Sequence, residues 1–187
     1  MVADVGAGRG VYLPVWSVAV GSTGHVIAED IDKPSLDWAR KKTDERVYPN
    51  VEFVLGTAKD AMLPDKWADL IVVIDAYHHF TYPADMLASL SKALKTDGRL
   101  AIIDFDKVDK PTRGAPPPGH VRLNRDEAIN EIVSNGFRLV RTRDFMQSRQ
   151  YIAIFVRDYA ADPPNEAYAE FPDFRKLLIP ATACRMR

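Results

Sequence analysis
The segment Asp4-Val5-Gly6-Ala7-Gly8-Arg9-Gly10 sets three glycines at alternate positions directly behind an apolar run that carries a carboxylate. Glycines let a backbone turn tightly and bring its N–H groups against a ligand without Cβ interference, and the N-terminus of a following helix favours a negative group. Asp4 lies two residues before the first glycine, which suits a cationic ligand group better than a pyrophosphate alone. Twenty residues after Gly10 comes Asp30, where a carboxylate can accept hydrogen bonds from ribose hydroxyls. Together the two sites describe a nucleoside that carries both an amino and a carboxylate group. A dinucleotide fingerprint would read G-x-G-x-x-G, but Val11 stands where its third glycine belongs.

A second group, Asp75-Ala76-Tyr77-His78-His79-Phe80, closes the aliphatic stretch 70–74. Asp75, His78 and His79 are candidates for a general base, needed where an acceptor arrives protonated. Asp104 and Asp106 are weaker candidates by position. In extended backbone His78 and His79 would point to opposite sides, and the i, i+4 histidine spacing of a helical zinc site is missing, so no metal is expected.

These residues need elements to place them. Apolar patterning predicts strands at 2–5, 25–28, 51–55, 69–74 and 99–104, with helices at 11–20, 33–47 and 83–94. Asp32 reads as an N-cap, Asn124 caps a further helix that runs to 135, and Gly136 stops it. The segments 137–143 and 151–156 are close enough to pair as an antiparallel hairpin, and 106–119 forms a proline-containing loop. Strands separated by single helices call for right-handed crossovers and a parallel sheet covered on both faces. The expected fold is a doubly wound α/β domain with a mostly parallel, seven-stranded sheet. In such a sheet ligands sit outside the carboxyl ends of the strands, where the strand order reverses.

Composition narrows the function. Twenty-five Lys and Arg against 26 Asp and Glu leave a net charge of −1, too balanced for nucleic acid or an anionic membrane as the main partner. Cys184 is the single cysteine of the 187 residues, so an internal disulfide or a cysteine zinc cluster is excluded and a cytoplasmic home is natural. The longest aliphatic run falls far short of a membrane span.

With these motifs in place, the chain resembles the class I S-adenosylmethionine-dependent methyltransferases. Residues 2–10 resemble their first signature, 26–32 their second, and Phe53-Val54-Leu55-Gly56-Thr57-Ala58 the segment bordering adenine. Residues 69–80 are similar to the substrate-facing motif of small-molecule members, and Leu94-Lys95-Thr96-Asp97-Gly98 to the turn usually written L-K-P-G-G. The resemblance implies a Rossmann-like fold and S-adenosyl-L-methionine as cofactor. It implies that Gly6, Ala7 and Gly8 line the methionine part, with Asp4 near the amino group. Asp30 would hold the ribose, Ile31 would pack on adenine, and Thr57 and Ala58 would border its edge. Asp75 and Tyr77 would face the methyl donor and acceptor, with His78 also touching substrate. Asp162-Pro163-Pro164-Asn165 lacks the aromatic of the D-P-P-Y motif of nucleic-acid amino methyltransferases and lies in the tail.

The match assigns 1–157 to a methyltransferase domain without the helix that relatives usually carry before the first strand. Residues 158–187, with Tyr159, Tyr168, Phe171 and Phe174, form a tail or packing arm. The expected partners are a small-molecule substrate and, through such an arm, a second copy of the chain in a homodimer. Two other readings stay open: a methyltransferase-like protein that binds the cofactor without turnover or serves as a partner subunit, and a nicotinamide-dependent oxidoreductase.

Overall fold
The computed structural model describes residues 1–145 and 150–158. Seven strands form one sheet: β1 (Val2–Val5), β2 (Val26–Asp30), β3 (Val51–Leu55), β4 (Ala68–Ile74), β5 (Leu94–Phe105), β6 (Phe137–Phe145) and β7 (Gln150–Arg157). Four helices flank it: α1 (Leu13–Val20), α2 (Lys33–Lys42), α3 (Pro83–Ala93) and α4 (Arg125–Ser134). A 3-10 turn over Tyr77–His79 follows β4.

The sheet order is β3-β2-β1-β4-β5-β7-β6. The pairings among β1 to β5 are parallel, and β7 runs antiparallel between β5 and β6. The chain moves outward from β1 to β3 and returns to lay β4 on the other side of β1, so the order reverses between these two strands. Side chains alternate across the pleat. Ile71 and Val73 pack with α3 and α4 through Leu87, Leu90 and Ile132. Val72, between them, packs on the opposite face with Leu13 and Trp16 of α1 and Ala39 of α2. The doubly wound sheet is thereby confirmed, with its antiparallel hairpin.

Local chemistry sets the helix ends. The Ser35 N–H donates to Asp32 Oδ2 at 3.0 Å, and Asn124 and Glu127 form a reciprocal capping box on α4. Two elements differ from the sequence reading. Helix α2 stops at Lys42 rather than 47, because Asp44 binds the backbone and guanidinium of Arg46 and its carbonyl accepts the N–H groups of Val47 and Tyr48. As in the sequence reading, no helix joins β3 to β4. Thr57 instead organises a turn there, its Oγ1 accepting from the Lys59 and Asp60 N–H groups. Strand β5 begins already at Leu94, paired with Ala68, so Asp97-Gly98 lies inside a bulged strand while α3 ends at Ala93.

The tail from 159 onward, with its aromatic residues and Cys184, lies outside the described residues. Among the described residues, no helix is long and apolar enough to cross a membrane.

Candidate active site
Strand β1 ends at Val5, and the chain turns at Gly6 with φ +72° and again at Gly8 with φ +55°. A Cβ on Gly6 would stand 2.5 Å from Ala76 Cβ, whereas one on Gly8 would meet nothing within 4 Å. Gly6 therefore permits close packing against the loop after β4, and Gly8 leaves open space for a ligand beside its backbone. The loop is held from β2. The Gly8 N–H donates to Asp30 Oδ2 at 2.7 Å, the Asp32 N–H to Asp30 Oδ1 at 2.8 Å, and the Gly6 N–H to Glu29 Oε2 at 3.3 Å. A carboxylate oxygen has two lone pairs, so each oxygen of Asp30 keeps acceptor capacity for a ligand hydroxyl.

Asp4 sits beneath this loop, buried, with Trp16 Nε1 donating to its Oδ2 at 3.1 Å. Burial pushes its carboxyl up to about 7, against the indole hydrogen bond that lowers it. Glu29 is also buried and is pushed up to about 8 by desolvation, with the Gly6 N–H opposing and the charges of Asp30 and Asp4 adding. Its Oε1 has no hydrogen-bond partner among the described residues.

A cavity of about 380 Å³ opens at the carboxyl ends of β1, β2 and β4, within the roughly 300–1,000 Å³ of small-molecule sites. One wall is Gly6, Gly8, Glu29, Asp30 and Ile31; the other is Asp75, Ala76, His79, Phe80 and Met86, with Ala58 and Thr81 also on the lining. The cavity thus straddles the reversal in strand order.

Asp75 follows β4 with φ +52°, a left-handed backbone uncommon for a residue with a side chain. Gln150 Nε2 donates to its Oδ1 at 2.6 Å, and the Asp75 N–H donates to the Ile103 carbonyl at 2.8 Å. Desolvation raises the Asp75 pKa, the Gln150 hydrogen bond opposes this, and the Asp104 charge adds to it. The 3-10 turn then places His78 and His79 on one side, their ring centroids 4.0 Å apart. The opposed orientation expected of an extended pair is overturned, because the chain turns at Asp75 instead of continuing as a strand. His78 is buried over Asp104, whose Oδ2 accepts its backbone N–H at 2.9 Å and whose Oδ1 lies 2.6 Å from its Nδ1. His79 is exposed on the cavity lining, and burial of part of its ring lowers its pKa, with His78 and His120 adding to the shift.

The structure brings Gly6, Gly8, Asp30, Ile31, Ala58, Asp75 and His79 to one cavity. Asp4, Ala7 and Thr57 lie off its lining: Asp4 is under the loop, and Thr57 is occupied in its own turn. Tyr77 is turned into the core at 1% exposure and donates to Glu131 Oε1 at 2.7 Å, where Arg122 also binds both carboxylate oxygens. Burial and that carboxylate raise the Tyr77 hydroxyl pKa. Tyr77 as a substrate contact is corrected accordingly; its place is in the packing between β4 and α4. Asp106 holds the N-terminus of α4 through Arg125. Sequence reasoning missed Glu29, Phe80, Met86 and Gln150. Glu29 directly precedes Asp30 at the same strand end and carried a local signal, whereas the Gln150–Asp75 contact spans 75 positions and carried none.

The methyltransferase domain family matches residues 3–102. The chain is 33% identical over 107 residues to the ubiquinone/menaquinone biosynthesis C-methyltransferase UbiE of Stutzerimonas stutzeri, covering 57% of this chain and 42% of that protein. It is 34% identical over 107 residues to the protein of the same name from Vibrio vulnificus, covering 57% and 41%. It spans about two fifths of the length of these curated relatives. The crystal structure of a SAM-dependent methyltransferase from Aquifex aeolicus superimposes with a TM-score of 0.75 at 28% identity, covering 82% of this chain and 80% of that one.

The cofactor these likenesses imply is S-adenosylmethionine, and the cavity fits it. Open space beside Gly8, acceptor capacity on Asp30 and the 58% exposed Ile31 on the lining suit an amino-acid moiety, a ribose and a flat base in turn. By its fold, its signatures and this cavity, the chain belongs to the methyltransferase domain family.

Proposed function
We propose that the protein transfers a methyl group from S-adenosylmethionine to a small-molecule acceptor. The observation that carries this reading is the convergence, on one cavity at the strand-order reversal, of the Gly6-Gly8 loop, the Asp30 carboxylate and the pair Asp75 and His79. When bound, the cofactor supplies a sulfonium-activated methyl group. The chain supplies placement, which in a displacement that needs reacting atoms about 3–3.5 Å apart provides much of the acceleration. Gly6, Gly8, Asp30, Ile31 and Ala58 line one end of the cavity, and Phe80 and Met86 add apolar surface to the wall that carries Asp75 and His79.

Where the acceptor arrives protonated, Asp75 would take its proton as the acceptor turns nucleophile. Three features support Asp75 over its neighbours: it lines the cavity, Gln150 fixes its orientation, and its raised pKa makes it a better base than an ordinary surface carboxylate. Thermal unfolding tests the reading. A ligand at 100 times its Kd stabilises by about 2.7 kcal/mol, so S-adenosylmethionine and S-adenosylhomocysteine should each raise the Tm by several degrees and NADH should not. Stabilisation by NADH alone would reverse the assignment.

A further inference from the structure
We infer that His78, His79 and His120 form a binding site for a divalent transition-metal ion of the zinc type, beside the cofactor cavity. One ring nitrogen from each of the three lies within 4.8 Å of the others. The ring centroids are 4.0 Å apart for His78 and His79, and 5.1 Å for each of these to His120. Two unconnected segments build the cluster: the 3-10 turn after β4, and the 106–124 loop, where the His120 N–H closes a turn onto the Pro117 carbonyl at 3.1 Å.

The state of His78 points to an ion rather than to ring packing alone. Its side chain is 4% exposed, and Asp104 engages both its backbone N–H and its Nδ1. With Nδ1 engaged by that carboxylate, Nε2 is the ring nitrogen left to meet a ligand. Nε2 is buried and has no hydrogen-bond partner among the described residues, an arrangement that costs free energy unless something engages that nitrogen. A metal-bound histidine commonly donates its other nitrogen to a carboxylate in this way, which orients the ring and raises its basicity.

Three imidazole ligands select zinc and its neighbours over magnesium or calcium. Zinc binds nitrogen at about 2.0–2.1 Å in a tetrahedron, which sets the ligand nitrogens roughly 3.3 Å apart. The cluster's nitrogens, within 4.8 Å of one another, would have to close by at most about 1.5 Å to reach that spacing, and His79 and His120 are exposed and have room to turn. Three protein ligands leave one coordination position, the arrangement of catalytic rather than structural zinc. Because His79 also lines the cofactor cavity, the ion would sit where an acceptor's oxygen, nitrogen or sulfur can reach it; this role, unlike the binding itself, rests on the methyltransferase reading.

The test uses the full chain, stripped with a chelator and titrated with Co²⁺ and then Zn²⁺ in the absence of cofactor. The expected result is one Co²⁺ per chain, with the visible absorption of four-coordinate cobalt, displaced by Zn²⁺. His120→Ala, at an exposed loop position, should weaken Zn²⁺ binding at least tenfold with an unchanged circular dichroism spectrum. Asp104→Asn should weaken it roughly 10–100-fold, and His25→Ala, the remaining histidine, should change nothing. Absence of stoichiometric cobalt binding, or Zn²⁺ affinity unaltered in His120→Ala, overturns the site. Since S-adenosylhomocysteine binding is measured separately, failure here leaves the cofactor reading standing.

Discussion
Replacing Asp30 with Ala isolates the joint between the strand framework and the cofactor cavity. Its two oxygens accept backbone N–H groups from Gly8 and Asp32 at 2.7 and 2.8 Å, and hydrogen bonds to a charged group are worth about 1.5–3 kcal/mol each. The Asp32 N–H is exposed and finds water at little cost. The Gly8 N–H is partly buried, so the loss of folding stability should be near the value of one such bond, about 1.5–3 kcal/mol. Binding loses more than a loop tether, because the remaining lone pairs are the acceptors offered to ribose. A deficit of about 2.8 kcal/mol corresponds to a hundredfold rise in Kd. Asp30→Asn keeps the shape and one acceptor oxygen, and its deficit should be closer to tenfold. Calorimetric titration with S-adenosylhomocysteine reads both, with urea unfolding run in parallel. If Asp30→Ala binds within twofold of the parent protein, the carboxylate does not hold the ligand and the placement of the nucleoside is refuted.

Gly6→Ala forces a Cβ to 2.5 Å from Ala76 at φ +72°; the cost is about 1–3 kcal/mol, read from the urea midpoint, together with loss of S-adenosylhomocysteine binding. Tyr77→Phe removes the donor to Glu131 and should lower stability by about 1–3 kcal/mol while leaving cofactor affinity unchanged; a selective loss of affinity would return Tyr77 to the site. The buried acids Asp4 and Glu29 have folded pKa values raised to about 7 and about 8, so the unfolded chain releases their protons first as pH rises. Their contribution to stability is complete below the ordinary carboxylate range and is lost as pH climbs through about 7 and then about 8. The urea midpoint of the cofactor-free protein should fall between pH 5 and pH 8, and Asp4→Asn should flatten the first part of that fall; a midpoint that rises over this window contradicts the burial argument.

Most of the fold was legible because the central strands are short apolar runs stopped by glycine or by charge. The first glycine loop and Asp30 were legible because both lie at adjacent strand ends, where local spacing fixes their separation. The far wall was not. Whether His78 and His79 diverge or converge depends on the left-handed turn at Asp75, and although Asp enters that region more readily than most side chains, its presence at a strand end does not by itself mark such a turn. Tyr77 reads as a cavity residue by position, yet the same turn swings it under the sheet to Glu131, 54 positions away. Gln150 reaches Asp75 only because β7 inserts between β5 and β6, a choice of strand order that no local pattern encodes. Thr57 was expected at the adenine edge, but its hydroxyl serves the two N–H groups that follow it, as threonine does in many turns.

The central claim is that the cavity at the strand-order reversal binds S-adenosylmethionine through the Gly6-Gly8 loop and Asp30. Its most direct test is titration of S-adenosylhomocysteine into the folded chain, followed by amide chemical shifts. Saturation at one site, with the largest shifts at Gly6, Gly8, Asp30 and Ile31, is the predicted result. A folded protein that gives no saturable binding, or whose shifts fall away from these residues, would contradict it.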